Sequence, residues 1–341
     1  IYDALGLTRS EANLLAKRLL SNMRKEYYSS ELEENEGLIS KKRIGGFNIT
    51  NSFWTDSALD LKDNAVLDLI NSLETEVFKV DFQNDYKEIN QRVIDYVKDK
   101  TDGIVDLKKT EIDSTTAMVF LSTLYLKDVW GLQDLKLTDS SYDFANFNGT
   151  ITQTKLLTSS YQLGKVYTTA EYQHFYAETE NGYKIKFIVP SKQNTIEDVF
   201  TKETIAAINS ITDYQGVDKN LQTNYYTRCL FPKFEASYDE SIKDILKNLG
   251  VTDVFDSTLA NFSGITETKD IYLSVARHAV SLKVEAEGIS GASATMALGT
   301  FGAPANPYKK VYEDFVVDRS FGFIITDVDD VQIFSGVIKN I

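Results

Sequence analysis

Between Ala117 and Trp130 the sequence reads AMVFLSTLYLKDVW, apolar at nearly every position on both parities. Side chains of a strand alternate between faces, so such a run suits a central strand buried on both sides. The chain must then build a sheet that is covered above and below. It has the material for one: 43% of its 341 residues are hydrophobic and 12% aromatic, which excludes global disorder. No run of 18 apolar residues occurs, so no membrane span is expected.

The first third reads as mainly helical. Thr8 and Glu11 have capping-box spacing, followed by Leu15, Leu19, Leu20 and Met23 at helical intervals. A second helix is predicted over Asp56–Leu73, and a third over Tyr86–Lys100 with Ile89, Val93 and Val97 on one face. Beyond residue 117 strands dominate. Lys184–Pro190 is one. Ser237 and Glu240 have the spacing to open a helix with the stripe Ile242, Ile245, Leu246 and Leu249, closed by Gly250. Val280, Leu282 and Val284 alternate with Ser281, Lys283 and Glu285, a strand with one buried face. Phe321–Thr326 and Gln332–Val337 flank the acidic turn 327–330 as a terminal hairpin.

Several function classes have little to build on. A net charge of −14 opposes non-specific attraction to nucleic acid or anionic membrane. Cys229 is the single cysteine and His174 and His278 the two histidines, so triads and metal clusters lack components. No catalytic residue, metal or cofactor is expected. Cys229, beside Leu230 and Phe231, reads as a buried inert thiol, His174 as an exposed residue without function, and His278 as a satisfied core histidine.

The segment Gly288–Pro307, GISGASATMALGTFGAPANP, breaks the pattern: it holds two of the four prolines, many small residues and no charge. Twenty residues without periodicity between two strands are unusual in a compact domain and mark a functional or unstructured connection.

This segment and its flanks resemble the serpins. Glu285-Ala286-Glu287-Gly288 followed by Ile289-Ser290-Gly291-Ala292-Ser293-Ala294-Thr295 is similar to the family's hinge: an acidic pair, a glycine, then small residues closed by threonine. Residues 259–266 (LANFSGIT), 231–234 (FPKF), 248–251 (NLGV), 125–130 (YLKDVW) and the terminal blocks 321–323 and 333–336 match further family blocks, in family order along the chain. Each is weak alone; together they are specific. The chain departs from the pattern in starting near the family's third helix, in Ser122 where an asparagine is usual, in Ser320 in place of a proline, and in a longer loop.

The resemblance implies an α+β serpin fold: a large central, mainly antiparallel sheet, further sheets, surrounding helices and an exposed reactive-centre loop. Residues 1–341 would form one domain, with residues 286–311 as hinge and loop. It implies a monomeric inhibitor of a serine-type protease, elastase-like or chymotrypsin-like, extracellular or else cytoplasmic. The protease would cut the loop, remain attached as a covalent acyl complex, and be disabled as the loop enters the sheet. Family spacing puts the cut between Gly302 and Ala303, with Phe301 or Thr300 as alternative specificity residues. Glu287–Thr295 would be the hinge, Trp130 would lie beneath the insertion point, and His278 and Ser122 in the region where the sheet opens. A non-inhibitory carrier, storage or chaperone form is the alternative, marked by charged residues at inward hinge positions. Alternate residues Ile289, Gly291, Ser293, Thr295, Ala297 and Gly299 carry none.

Overall fold

The computed structural model describes residues 8, 10, 11, 14, 25–35, 38–107, 109–131, 135–158, 160–211, 214–286, 288–289 and 308–341, without side chains at 25, 28–35 and 38–44. Among the described residues the largest sheet has seven strands. Six run in the order β1 (Lys25–Asn35), β2 (Leu38–Asp56), β4 (Met118–Val129), β10 (Gly288–Ile289), β9 (Val275–Glu285) and β8 (Phe234–Ser241); β3 (Thr75–Val80) pairs with β2. A five-stranded sheet contains β5 (Tyr172–Glu178), β6 (Lys184–Pro190), β12 (Phe321–Thr326) and β13 (Gln332–Ile338). A six-stranded sheet is built on β7 (Thr223–Pro232), which pairs in parallel with β11 (Lys309–Val316). The described helices include α1 (Asp63–Leu73) and α2 (Phe82–Lys100), together with the shorter α3 (Ile196–Val199), α4 (Lys202–Asn209) and α5 (Lys243–Asn248). The chain divides into two compact units, residues 1–26, 46–126 and 237–282, and residues 27–45, 127–236 and 283–341.

In the first unit α2 supplies Phe82, Ile89, Val93 and Val97 to a core shared with Trp54, Val119, Leu121, Val275 and Ala279. Its predicted face is the buried one. The helix begins four residues earlier than its periodicity indicated, because Asp81 caps it by accepting from the Asn84 N–H (3.0 Å). Helix α1 is shorter than expected at its start. Asp56 ends β2, and its carboxylate accepts from the Ala58 and Phe82 N–H groups. The helix proposed to open at Ser237 is also corrected: Ser237 and Glu240 lie in β8, and the Ile242 N–H donates to the Ala276 carbonyl (2.9 Å), so sheet pairing outweighs the local capping pattern. Gly250 takes the left-handed conformation expected after α5 (φ 88°). In the first third, which reads as mainly helical, β1 and β2 together take residues 25–35 and 38–56. At the N-terminus Thr8 and Glu11 form the reciprocal capping pair; Leu15, Leu19, Leu20 and Met23 lie outside the described residues.

The second unit has an aromatic core in which Phe187 stacks on Phe231 (4.7 Å) and meets Phe321 edge-on (5.8 Å). Cys229 is fully buried there, and burial pushes its thiol pKa up, which leaves it inert. His174 is not the exposed residue expected from sequence. Strand β5 turns it inward, where it is 0% exposed, its Nδ1 lies 3.1 Å from the Tyr214 hydroxyl, and Tyr167 packs on its ring. Burial, aided by the buried Lys186 ammonium, lowers its pKa to about 3.

The unfolded chain thus takes up this proton near pH 6.5 while the folded chain resists until about pH 3. Folding stability contributed by neutral His174 is complete above pH 6.5 and is lost as pH falls, by about 1.4 kcal/mol per unit. Denaturant melts from pH 7 to pH 4 should show a His174→Gln variant with a flatter acid limb than the parent. Identical limbs would show that His174 is not the acid-sensitive group.

Candidate functional site: the seat of a two-residue strand

Next to the end of β9, and antiparallel to it, lies β10. Glu285 pairs with Gly288 and Val284 with Ile289. On its other side β10 is antiparallel to β4, with Gly288 opposite Val129 and Ile289 opposite Asp128. Two residues of the segment singled out from sequence are therefore already a strand, hydrogen-bonded on both edges. Ile289 is 0% exposed.

Glycine is required at the first of them. Gly288 has φ 149°, and a Cβ there would lie 2.1 Å from the Asp128 carbonyl oxygen. Trp130 holds the end of β9: its indole N–H donates to the Glu285 carbonyl (2.8 Å) and its ring meets Phe231 edge-on. The Glu285 carboxylate faces outward and binds Lys233 (2.7 Å) and Lys283 (3.2 Å); the Lys233 bond holds its pKa below the ordinary carboxylate range.

The β4 side of the seat is anchored by a residue that sequence reasoning passed over. Asp128 is fully buried and accepts from the Asn181 side-chain amide (2.7 Å), the Asn181 N–H (3.3 Å) and the Val129 N–H (2.9 Å). Burial raises its pKa despite these bonds. The Gly131 N–H to Glu178 carbonyl and Glu180 N–H to Val129 carbonyl bonds tie the same strand end to the 178–183 turn. Nearby, the hydroxyls of Tyr27 and Tyr183 are 2.5 Å apart, and burial pushes the Tyr27 pKa up to about 12. The polar pair Lys127-Asp128 at the end of an apolar run was the available signal.

His278 and Ser122 stand directly opposite each other where β9 and β4 pair in parallel, Val275 with Val119 through Val280 with Leu124. The His278 ring is half-buried and hydrogen-bonded to the Ser122 backbone, and burial lowers its pKa. Strand β9 is not the one-sided strand predicted, because Ser281 is buried while Val280 is only half-buried. Trp130, Gly288 and Ile289 form one cluster; Ser122 and His278 form another pair further along the same strands. Glu287, Ser290–Thr295 and the proposed cut region Thr300, Phe301, Gly302 and Ala303 lie outside the described residues. Among the described residues no cluster of three metal-ligating side chains occurs.

A Gly288→Ala variant should unseat β10 and free the Trp130 indole from the Glu285 carbonyl. In a Trp54→Phe background, which leaves Trp130 as the one tryptophan, its emission is expected to shift to longer wavelength. Unchanged emission would mean that the backbone accommodates the methyl group in place.

The likenesses agree with this geometry. The family model described as Serpin (serine protease inhibitor) matches residues 2–341. Iripin-1 of Ixodes ricinus is 26% identical over 285 residues, 79% of this chain and 67% of that protein. A serine protease inhibitor of Cyanea capillata is 25% identical over 352 residues, covering 100% of this chain and 85% of its own. Among solved structures, Serpin48 of the insect Tenebrio molitor matches with a TM-score of 0.74 at 19% identity, over 100% of this chain and 84% of its own. Thyroxine-binding globulin in complex with thyroxine has the same TM-score at 20% identity, over 99% and 84%. At those identities the structures speak for the fold alone. With a match along almost the whole chain, and with strands arranged as in solved serpins, the chain belongs to the serpins, the family of serine protease inhibitors.

Proposed function

We propose that this serpin inhibits its protease as a suicide substrate: the protease cuts the loop after residue 302, and the freed hinge side enters the large sheet between β4 and β9. The observation that carries this reading is β10. Gly288 and Ile289 already hold the position and antiparallel sense that an inserted strand needs, paired on both sides. In sequence, residues 290–299 follow with no charged side chain on either parity, which a closing sheet can accept. In the same reading residues 1–341 act as one domain, Glu287–Thr295 are the hinge, Trp130 supports the insertion point, and Ser122 and His278 hold the pairing that must open. The residues at the cut, Gly302 or its neighbours Thr300 and Phe301, fit an elastase-like or chymotrypsin-like enzyme.

The test is denaturing electrophoresis after mixing the protein with pancreatic elastase, chymotrypsin or trypsin. An SDS-resistant band near the summed mass, with release of a C-terminal peptide starting at Ala303, is the expected result. Cutting in the 300–303 window with no such band would make the chain a non-inhibitory serpin consumed as plain substrate.

A further inference from the structure

Strand β11 starts at Lys309, directly after the loop, and its outer face meets the outer face of β7. Tyr312 is opposite Tyr226, which is opposite Leu163 on the next strand, and Asp314 is opposite Arg228. The inner positions of the same strands, Cys229 and Phe315, are buried. Among the described residues nothing covers the outer face: Tyr312 is 56%, Leu163 49% and Tyr161 39% exposed.

These side chains are nonetheless held in place. Tyr226 and Tyr312 stack at 5.3 Å, and Tyr161 meets Tyr312 edge-on at 5.1 Å. Arg228 lies over the Tyr161 ring and clamps Asp314 with two bonds, 2.9 and 2.6 Å, while the Tyr161 hydroxyl donates to the same carboxylate. Single exposed apolar residues need no explanation, but a contiguous, pre-ordered aromatic row does. Rings already fixed by their neighbours lose little entropy on contact, which is why tyrosine and arginine concentrate in recognition surfaces.

We infer that this face is a secondary docking surface for the body of the target protease, engaged while its catalytic cleft holds the loop. The inference rests on the reading of residues 300–303 as the cut window. The reach of the chain selects this occupant. Five residues lie between Ala303 and Lys309, and the six steps span at most about 20 Å. A protease domain of about 200 residues is roughly 40 Å across, so one seated on the bond overlies ground this close to the loop's root. The carboxylates of β11 are engaged within the sheet, Asp314 as above and Glu313 by the Val166 N–H and the Thr227 hydroxyl. Lys310, which lies over the Tyr226 ring, then sets the sign of the exposed charge on this face, and the matching protease rim is apolar with carboxylates.

The readout is the second-order rate at which elastase, chymotrypsin or trypsin consumes intact chain, whatever the product. Tyr312→Ala and Tyr161→Ala are each expected to lower that rate about tenfold for the best of the three enzymes, the loss typical of an interfacial aromatic. Tyr312→Phe, which keeps the ring, should restore it, and Tyr272→Ala, an exposed tyrosine outside this row, should leave it unchanged. Thermal melts check that the variants remain folded, and Lys310→Glu, which leaves the rings intact, should also slow consumption. Equal rates for all variants would overturn the docking surface, as would a self-associated chain whose dimer is lost with Tyr312→Ala. The same gels separate the two readings, because the ratio of SDS-stable band to nicked chain tests suicide inhibition while the rate tests the surface. Failure of all three enzymes to cut the loop would sink both.

Discussion

Cutting the chain between Gly302 and Ala303 is expected to raise its unfolding temperature by about 20 °C. In the intact molecule β4 and β9 share one parallel ladder of six residue pairs, Val275–Val280 with Val119–Leu124. An inserted strand would replace that ladder with two antiparallel ones, so the net change is about one new ladder. About ten new hydrogen bonds at roughly 0.5–1.5 kcal/mol each supply on the order of 10 kcal/mol. This rivals the entire stability of an ordinary domain, about 5–15 kcal/mol. For a chain of this size 1 kcal/mol moves the transition by about 2 °C, which gives the figure above. Calorimetry before and after limited proteolysis, with the new N-terminus sequenced, measures it directly. A cut chain that melts where the intact one does has not taken the loop into its sheet, and the proposed mechanism would be wrong while the fold stood.

The sequence made some of this arrangement readable and hid the rest, for reasons that differ from residue to residue. Strand β4 was legible because burial on both faces leaves no polar parity, and Lys184–Pro190 and the terminal hairpin because their turns are punctuated by charge. The face of α2 followed from 3.6-residue periodicity alone. Ser237 and Glu240 misled because a capping pair is worth little beside a strand edge that must find partners, and β9 provides them. His174 misled because a lone polar residue in a strand carries no sign of which way the strand faces. At the candidate site the small residues and the family's block order pointed to the segment that starts at Gly288, of which residues 290–307 lie outside the described ones. What could not be read was that Gly288 and Ile289 are already seated, since this depends on Trp130, Asp128 and the 178–183 turn meeting across long separations in the chain.

Because Ile289 is seated, an insert that continues β10 has a set register, and that register gives a paired substitution test. Gly291, of the parity of Ile289, would come opposite Leu282 and Leu126, both fully buried. Ser290, of the parity of Gly288, would come opposite Lys283, whose side chain is 52% exposed, and half-buried Lys127. Gly291→Arg would therefore bury an unpaired guanidinium on insertion, at a cost of about 3–5 kcal/mol. If that cost is felt while the strand enters, insertion slows about 10²- to 10⁴-fold. Hydrolysis of the acyl bond, which competes with insertion, would then win. The variant is expected to be cut at the parental rate but to give nicked chain in place of the SDS-stable band. Ser290→Glu can keep its charge in water beside the Lys283 ammonium and is expected to retain most of the band. Loss of the band in both variants would mean that any charge in the hinge blocks insertion whatever its parity. Retention in both would mean that residue 291 never enters the sheet, and that inhibition, where it occurs, rests on tight binding at the loop instead.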